Sequence, residues 1–516
     1  MENEQGEIDK NLGILAKSSM VVFIGLFLSK LFTYLYRITI ARYYGPEIYG
    51  LFSLSLVVVA FFIAFSSLGL IEGLTRFIPI YRARKEKEKI KYLLKISNII
   101  LFISGIFSAV VIWFLSEFIA IGIFHDPNLT LFLKIFAVLV PISIFSNFYF
   151  ALIRSYEKIS AQSFGTNILQ NLSKLLLIGI LIFIGIRSTE AISFSYTFSI
   201  FIGLMFAYTY SKIKLSKKFF TKTKVPRKEK RKIFTSILVY SWPLVVFGIM
   251  GIVMTWIDTI LIGYFKDAYL VGIYSAMIPI AILLSMSQDI FVQMFFPMIT
   301  REMYAKRMRA VSELSKQVAK WIFTVNMPLL IMILLFPGVF INILFGPKYL
   351  SASNSLRFLA LGYFFYSMAG ISSTLLLSKG KSKLILGNIA IVATINFVFN
   401  YFLIPIYGIN GAAFSTCLSL SLLSILIVSE SYYFNKIFPF RRKLINVTIS
   451  AIIPTVILLW IRSALRVDLT ILILLGIGFI VLYLLLILLT KALDINDIRI
   501  VKKILRTIRN KSEKIK

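Results

Sequence analysis

The sequence predicts an all-α polytopic membrane protein with about 14 transmembrane helices. Of its 516 residues, 58% are hydrophobic and 15% are charged. A soluble domain has about 45–50% apolar and about 25% charged residues. The apolar residues recur in long segments, and the basic residues fall almost entirely in alternate loops. Together these observations exclude a soluble enzyme and a nucleic-acid-binding domain.

The apolar segments give the candidate spans, because a bilayer crossing takes about 20 residues. In chain order they cover residues 18–39, 50–75, 96–116, 131–153, 160–184, 190–211, 234–263, 269–293, 321–345, 353–377, 384–406, 410–433, 444–461 and 469–490. Several exceed that length and can tilt within the membrane.

The loop charges predict the orientation of these spans. The chain has 56 Lys and Arg residues against 23 Asp and Glu, a net charge of +33. With the N-terminus in the cytoplasm, the inner loops carry 45 of the 56 basic residues, the outer loops seven and the spans four. This split follows the positive-inside rule. We therefore expect a multi-pass cell-membrane protein with both termini cytoplasmic, whose inner loops bind anionic lipids of the inner leaflet.

The scarcity of cysteine and histidine excludes several kinds of site. Cys417 is the single cysteine and His125 the single histidine. An intrachain disulfide is therefore impossible, and a Cys/His zinc site needs about four such ligands. We expect no catalytic residues, and no metal other than a coupling cation.

The first half of the sequence recurs in the second half. Residues 49–53 (YGLFS) match residues 271–275 (VGIYS), and other matches recur in order at offsets of 218 to 225. Such parallel repeats occur in secondary transporters, where the substrate path lies between the halves. The predicted domains are a six-helix bundle with a basic cytoplasmic loop (1–233), a second six-helix bundle (234–440), two additional helices (441–490) and a basic amphipathic cytoplasmic tail (491–516).

Charged and polar residues in the first half predict a cavity for an anionic head group. A charge at the bilayer centre costs about 2.5–3.5 kcal/mol on insertion scales, so it usually faces a cavity or a partner. The candidates are Lys30, Tyr34 and Arg37 on one face of the first span, Glu72 and Arg76 at the second, and Lys174 in the fifth. They predict binding of a phosphate or pyrophosphate. The alternatives are an internal ion-pair network of Glu72 with Arg76 or Lys30, and an Arg37 that extends to the outer surface.

The second half predicts a cation-coupling site instead. The candidates are Asp258, Asn396, Asn400 and Thr416. A carboxylate with amide and hydroxyl oxygens suits a hard cation, so the group predicts a sodium site, or a proton carried by Asp258 alone. The alternative is that the asparagines only form hydrogen bonds between helices.

Three segments carry a resemblance to a known family. They are residues 41–51 (ARYYGPEIYGL), 257–265 (IDTILIGYF) and 403–413 (LIPIYGINGAA). With them, the chain resembles the multidrug/oligosaccharidyl-lipid/polysaccharide (MOP) exporter superfamily, specifically its polysaccharide repeat-unit and oligosaccharide flippases. The resemblance implies two six-helix bundles forming a V, alternating access, and cation coupling in some members.

The lipid II flippase branch of that superfamily also has fourteen spans. Lys30 and Arg37 are similar in placement to cations that line its cavity, and its sodium site uses helices 7, 11 and 12. This sequence has Asn400 where that site has a second acid, which leaves sodium binding open.

These observations favour a flippase, not an enzyme, for a polyprenyl-phosphate- or pyrophosphate-linked oligosaccharide or polysaccharide repeat unit. The alternatives are a cation-coupled multidrug exporter of the same superfamily and a membrane glycan polymerase or ligase. Lys30 and Lys174 argue against the exporter, which predicts an acidic cavity in the first half. Expected partners are the lipid-linked glycan, inner-leaflet anionic lipids and polysaccharide assembly enzymes. Neither nucleic acid nor a cofactor is expected, apart from sodium or proton coupling.

Overall fold

A computed structural model describes residues 2–186, 188–215, 225–464, 468–490 and 492. All regular secondary structure in these ranges is helical, as the sequence predicts. Most of the predicted tail, and residues 216–224 of the basic loop, lie outside the described residues.

The α-helices of the first half of the chain are α1 (Glu2–Ser66), α2 (Leu70–Ala83), α3 (Lys87–Glu117), α4 (Leu129–Ala137), α5 (Leu139–Ser155), α6 (Ile159–Ser163), α7 (Gln170–Phe183) and α8 (Glu190–Tyr210). Those of the second half are α9 (Arg227–Phe265), α10 (Ala268–Tyr304), α11 (Met308–Leu335), α12 (Pro337–Leu344), α13 (Ser353–Met368), α14 (Gly370–Ser378), α15 (Ser382–Tyr407), α16 (Ile409–Asn435), α17 (Lys443–Ala464) and α18 (Leu469–Leu489).

The number of membrane-crossing helices agrees with the sequence. In the described part of the chain, twelve helical segments are long and apolar enough to cross a bilayer, or 13 when α4 and α5, bent by 42°, count as one span. One of the 12 is a 40-residue segment of α1, Phe27–Ser66. Gly45 interrupts it with φ 88° and ψ 177°, between the first two predicted spans. Counted as two, this segment brings the total to the 14 predicted.

The break at Gly45 has a local cause. A φ of 88° costs glycine little, whereas a β-carbon would be strained there. Pro46 follows at once, and proline suits the first turn of a new helix.

The second predicted span ends earlier than expected. It was placed at 50–75, but α1 ends at Ser66 and α2 starts only at Leu70. Gly69 has φ 63°, and a β-carbon there would lie 2.3 Å from the carbonyl oxygen of Ser241. The turn therefore depends on glycine, both for its dihedral and for the close approach of α9.

The helices form two compact units. The first unit comprises Met1–Pro279 and Asn396–Ala412, and the second comprises Ile280–Ile395 and Ala413–Lys516. In the first unit α1 packs against α4, α7 and α9, and α5 against α8. In the second unit α17 and α18 pack on each other and on α11, around a core that includes Met332, Leu458 and Phe479. The domain boundaries predicted from the repeat stay a prediction.

The matched glycines of the repeat contact each other in the first unit. A β-carbon on Gly50 in α1 would lie 1.7 Å from the carbonyl oxygen of Ala268. A β-carbon on Gly272 in α10 would lie 1.8 Å from that of Pro46. Each would also lie 2.9 Å from the backbone nitrogen of the other glycine. The two helices therefore touch backbone to backbone, which glycine permits.

Candidate functional site

Lys174 is a buried cation held between two tyrosine rings. It lies on α7 with 7% of its surface exposed. Its Nζ is 5.7 Å from the ring centroid of Tyr36 and 5.2 Å from that of Tyr196. Within the described ranges, no carboxylate lies at ion-pair distance from it. We call Lys174, Tyr36 and Tyr196 the lysine cage.

Hydrogen bonds fix the helices around the lysine cage. The Tyr36 hydroxyl shares a hydrogen bond of 3.1 Å with Ser195 Oγ, which joins α1 to α8. Asn171, one turn before Lys174, accepts from Thr33 Oγ1 at 3.0 Å and donates to Ser29 Oγ at 2.9 Å. These bonds join α1 to α7, so the helices that carry Tyr36 and Lys174 are held together beside the cage.

The structure brings Arg37 close to the lysine cage. Arg37 follows Tyr36 directly, is half-buried, and interacts electrostatically with Lys174. Lys30 and Tyr34 are also half-buried on α1, and both have polar interactions of their own. Lys174 and Arg37 therefore reinforce each other's positive potential.

Glu72 and Arg76 lie elsewhere on the first unit. Both side chains on α2 are exposed. Arg76 lies over the ring of Tyr240 at 4.1 Å from its centroid. Among the described residues, Glu72 forms no ion pair with Arg76 or Lys30. The structure therefore does not contain the alternative ion-pair network around Glu72 in its described part.

Glu72 instead lines a cavity of about 500 Å³ in the first unit. Its other polar groups come from α5 (Asn147, Arg154), from α6 (Gln162), and from Ser67 and Thr166. Sequence reasoning missed Asn147 and Gln162, and it placed Arg154 in an inner loop. The seven-residue spacing of Asn147 and Arg154 puts both on one face of α5, which is a usable signal.

Asp258 is the centre of a second buried polar group in the first unit. It is 9% exposed. Its Oδ2 accepts from the hydroxyl of Tyr274 at 2.5 Å, and its Oδ1 accepts from Asn400 Nδ2 at 2.7 Å. Asn400 Nδ2 also donates to Asn396 Oδ1 at 3.1 Å. The structure thus brings together three of the four predicted coupling residues, whereas Thr416 lies on α16 in the second unit.

The oxygen atoms of this group suit a cation. Asn400 Oδ1 is buried and has no hydrogen-bond partner among the residues that the structure describes. Asn400 also contacts the Asp258 carboxylate through its Nδ2. A hard cation bound beside that carboxylate could therefore take Asn400 Oδ1 as a ligand. Sequence reasoning missed Tyr274, although it lies in the repeated segment 271–275.

Comparisons of the sequence identify related proteins. Residues 15–303 match the model of a family described as polysaccharide biosynthesis protein. A predicted O-antigen transporter of Shigella flexneri is 24% identical over 395 residues, which is 73% of this chain and 88% of the relative. An uncharacterized membrane protein of Methanocaldococcus jannaschii is 25% identical over 403 residues, 76% of this chain and 79% of the relative.

Comparisons of the structure identify the fold. The lipid II flippase MurJ in an inward closed conformation matches with a TM-score of 0.69 at 13% identity, covering 90% of this chain and 98% of MurJ. An inward-facing MATE family multidrug resistance transporter of the MOP superfamily matches with a TM-score of 0.66 at 13% identity, covering 81% and 98%. The fold predicted from the sequence is confirmed.

Proposed function

This chain belongs to the polysaccharide biosynthesis protein family of membrane transporters, and on that premise we propose that it is a lipid-linked glycan flippase. It moves an oligosaccharide or polysaccharide repeat unit, carried on polyprenyl phosphate or pyrophosphate, from the inner to the outer face of the cell membrane. The observation that carries this proposal is the lysine cage, a buried cation with no carboxylate partner among the described residues.

The energetics of the cage favour an anionic ligand. Removing an ammonium group from water costs several kcal/mol, roughly, even after relaxation of the protein. Two cation–π contacts return only about 0.5–2 kcal/mol each. A phosphate beside Lys174 and Arg37 offsets the remainder, because it supplies negative charge and hydrogen-bond acceptors together. A cationic drug would be repelled by the same pair, which favours the flippase over the drug exporter.

The proposal is tested by measuring lipid-linked oligosaccharide in cells that lack the protein. The inner-facing and outer-facing pools are separated by their accessibility to a membrane-impermeant glycosidase. We expect the lipid-linked glycan to accumulate on the cytoplasmic face while surface glycan is lost, and re-expression of the wild-type chain restores both. Unchanged pools together with altered sensitivity to cationic compounds would instead support the drug exporter.

Transport is proposed to be coupled to sodium or protons at Asp258. The carboxylate lies in the first unit between a hydroxyl donor and an amide, and the asparagine oxygens beside it are ligands for a hard cation. Binding of the cation or proton neutralises the buried charge of Asp258. It therefore favours the conformation in which Asp258 is buried over one in which it is exposed to water.

Asp258→Asn is therefore expected to remove the dependence of transport on a sodium or pH gradient. The amide keeps the size of the carboxylate and one of its two acceptor oxygens but carries no charge. Transport is measured in proteoliposomes with each gradient imposed separately. Asp267→Asn is the matched control, because the Asp267 carboxylate lies at the start of α10, where it accepts a hydrogen bond from the backbone N–H of Leu270. Coupling that persists unchanged in Asp258→Asn would show that another group carries it.

The orientation and partners of the flippase follow from the same proposal. Both termini and the basic loops face the cytoplasm, where the loops bind anionic lipids. Polysaccharide assembly enzymes deliver the lipid-linked unit on that side. Transport, without bond making or breaking by the protein, is its proposed activity.

A further inference from the structure

The Glu72 cavity of the first unit shares no lining residue with the lysine cage. Its volume of about 500 Å³ falls within the range of about 300–1,000 Å³ typical of small-molecule pockets. Two charged side chains line it, Glu72 from α2 and Arg154 from α5. Neither forms an ion pair within the described part of the chain. The carboxylate and the guanidinium give the cavity no net formal charge. The cavity therefore favours neither a phosphate nor a cationic drug.

The cavity also contains two amide side chains that are available to a ligand. The side-chain amides of Asn147 and Gln162 form no hydrogen bond with any described residue. Each amide presents a donor and an acceptor side by side. A pair of neighbouring hydroxyl groups presents the complementary arrangement, since each hydroxyl both donates and accepts. The carboxylate of Glu72 and the guanidinium of Arg154 extend the same pattern with charge-assisted hydrogen bonds.

The remaining wall of the cavity is apolar. Ile63, Ile71 and Phe150 are among its lining residues. A few convergent polar groups on an apolar wall suit a ring that has both hydroxyl groups and an exposed C–H face. A pyranose sugar has this structure, whereas a polyprenyl tail would leave the four polar groups without partners.

The helix that carries Glu72 packs tightly against α9. Gly73, next to Glu72, is close enough to α9 that a β-carbon would lie 2.8 Å from Ser241 Oγ and 2.9 Å from Ile237 Cγ1. The start of α2 is fixed against Ser241 by Gly69 as well. Glu72 therefore projects from a helix whose distance to α9 is set by glycine contacts, so the position of its backbone is fixed at the edge of the cavity.

We propose that this cavity binds one sugar residue of the glycan through its hydroxyl groups, separately from the phosphate bound at the lysine cage. The inference rests on the proposed function and extends it to the substrate's sugar. It assigns Asn147, Arg154, Gln162 and Glu72 as specificity-determining residues, because the bare lipid phosphate does not contact them.

The test compares lipids that differ only in the sugar. The full-length protein in lipid nanodiscs is titrated with radiolabelled farnesyl pyrophosphate and with farnesyl pyrophosphate carrying glucose, galactose or N-acetylglucosamine. We expect at least one sugar-bearing lipid to bind about tenfold more tightly than the bare lipid, the effect of one or two net hydrogen bonds. Asn147→Leu and Gln162→Met should each remove most of that gain and leave the affinity for the bare lipid unchanged.

Controls separate this inference from the proposed function. Asn128→Leu makes the same change at an exposed asparagine outside the cavity and should alter neither affinity. If all four lipids bind equally, or the Asn147 and Gln162 variants weaken the bare and sugar-bearing lipids alike, the saccharide site is refuted while phosphate binding stands. If no lipid binds, bare or sugar-bearing, both the site and the flippase proposal fail.

Discussion

Lys174→Met is expected to abolish glycan export while the protein remains in the membrane at its normal level. Methionine keeps the length and apolar stem of lysine and fits between the rings of Tyr36 and Tyr196. Truncating one partner of a buried charge pair costs about 2–5 kcal/mol in binding, which is at least about a thirtyfold loss of affinity for the phosphate. Stability should not fall, because replacing an unpaired buried charge by an apolar group is neutral or favourable.

The measurement is surface glycan per unit of protein in the membrane fraction. Lys174→Arg retains the positive charge and should retain part of the export. Lys134→Met is the matched control: Lys134 also lies over an aromatic ring in the first unit, 5.9 Å from the ring centroid of Trp113, but it is only half-buried. Lys30→Ala tests another predicted cation of the first half, which lies on α1. Normal export by both Lys174→Met and Lys30→Ala would refute the proposed binding of an anionic head group at these cations.

The fold was predictable because the membrane restricts what the chain can form. Backbone groups in hydrocarbon must be satisfied internally, so each apolar segment of sufficient length becomes a helix. The break at Gly45 was also predictable from the sequence, since a glycine followed by a proline separates two apolar segments there. The interruption before α2 was not predicted, because the conformation of Gly69 depends on the approach of Ser241, a residue far away in the sequence.

The candidate site was predictable only in part. A charged residue inside a long apolar segment is easy to recognise, so the sequence alone singles out Lys174 and Asp258. Their partners Tyr36, Tyr196 and Tyr274 do not, because the chain has 25 tyrosines and no spacing rule singles out these three. Spacing on one helix indicates which side chains share a face, but not which helix that face meets.

The separation of Glu72 from Lys174 illustrates this limit. The sequence analysis assigns both to one cavity for an anionic head group. In the structure, Glu72 and Arg154 line a cavity that has no residue in common with the lysine cage. Because Glu72 lies beside Arg154 and not beside Lys174, the ligand that we propose for its cavity is a sugar and not a phosphate.

Gly272→Ala is expected to destabilise the first unit strongly. The added β-carbon would lie 1.8 Å from the carbonyl oxygen of Pro46, and Gly50→Ala would place one 1.7 Å from that of Ala268. The obstructing atoms belong to the backbone, so no side-chain rotation relieves the overlap and the helices must move apart. Overpacking of this kind costs about 1–3 kcal/mol, occasionally more. We expect a lower melting temperature and a lower yield of purified protein for each variant.

Gly179→Ala is the matched control, because a β-carbon at Gly179 in α7 meets no atom of the described residues within 4 Å. It should keep or raise the melting temperature, since alanine is favoured over glycine by about 1 kcal/mol inside a helix. The double variant of Gly50 and Gly272 tests whether the two glycines form one contact. Once one β-carbon has separated the helices, the second meets less resistance, so the double variant should lose less stability than the sum of the single losses. Strictly additive losses would show that the two overlaps are relieved independently, and melting temperatures equal to that of Gly179→Ala would show that the close contact of the two repeats does not hold the protein together.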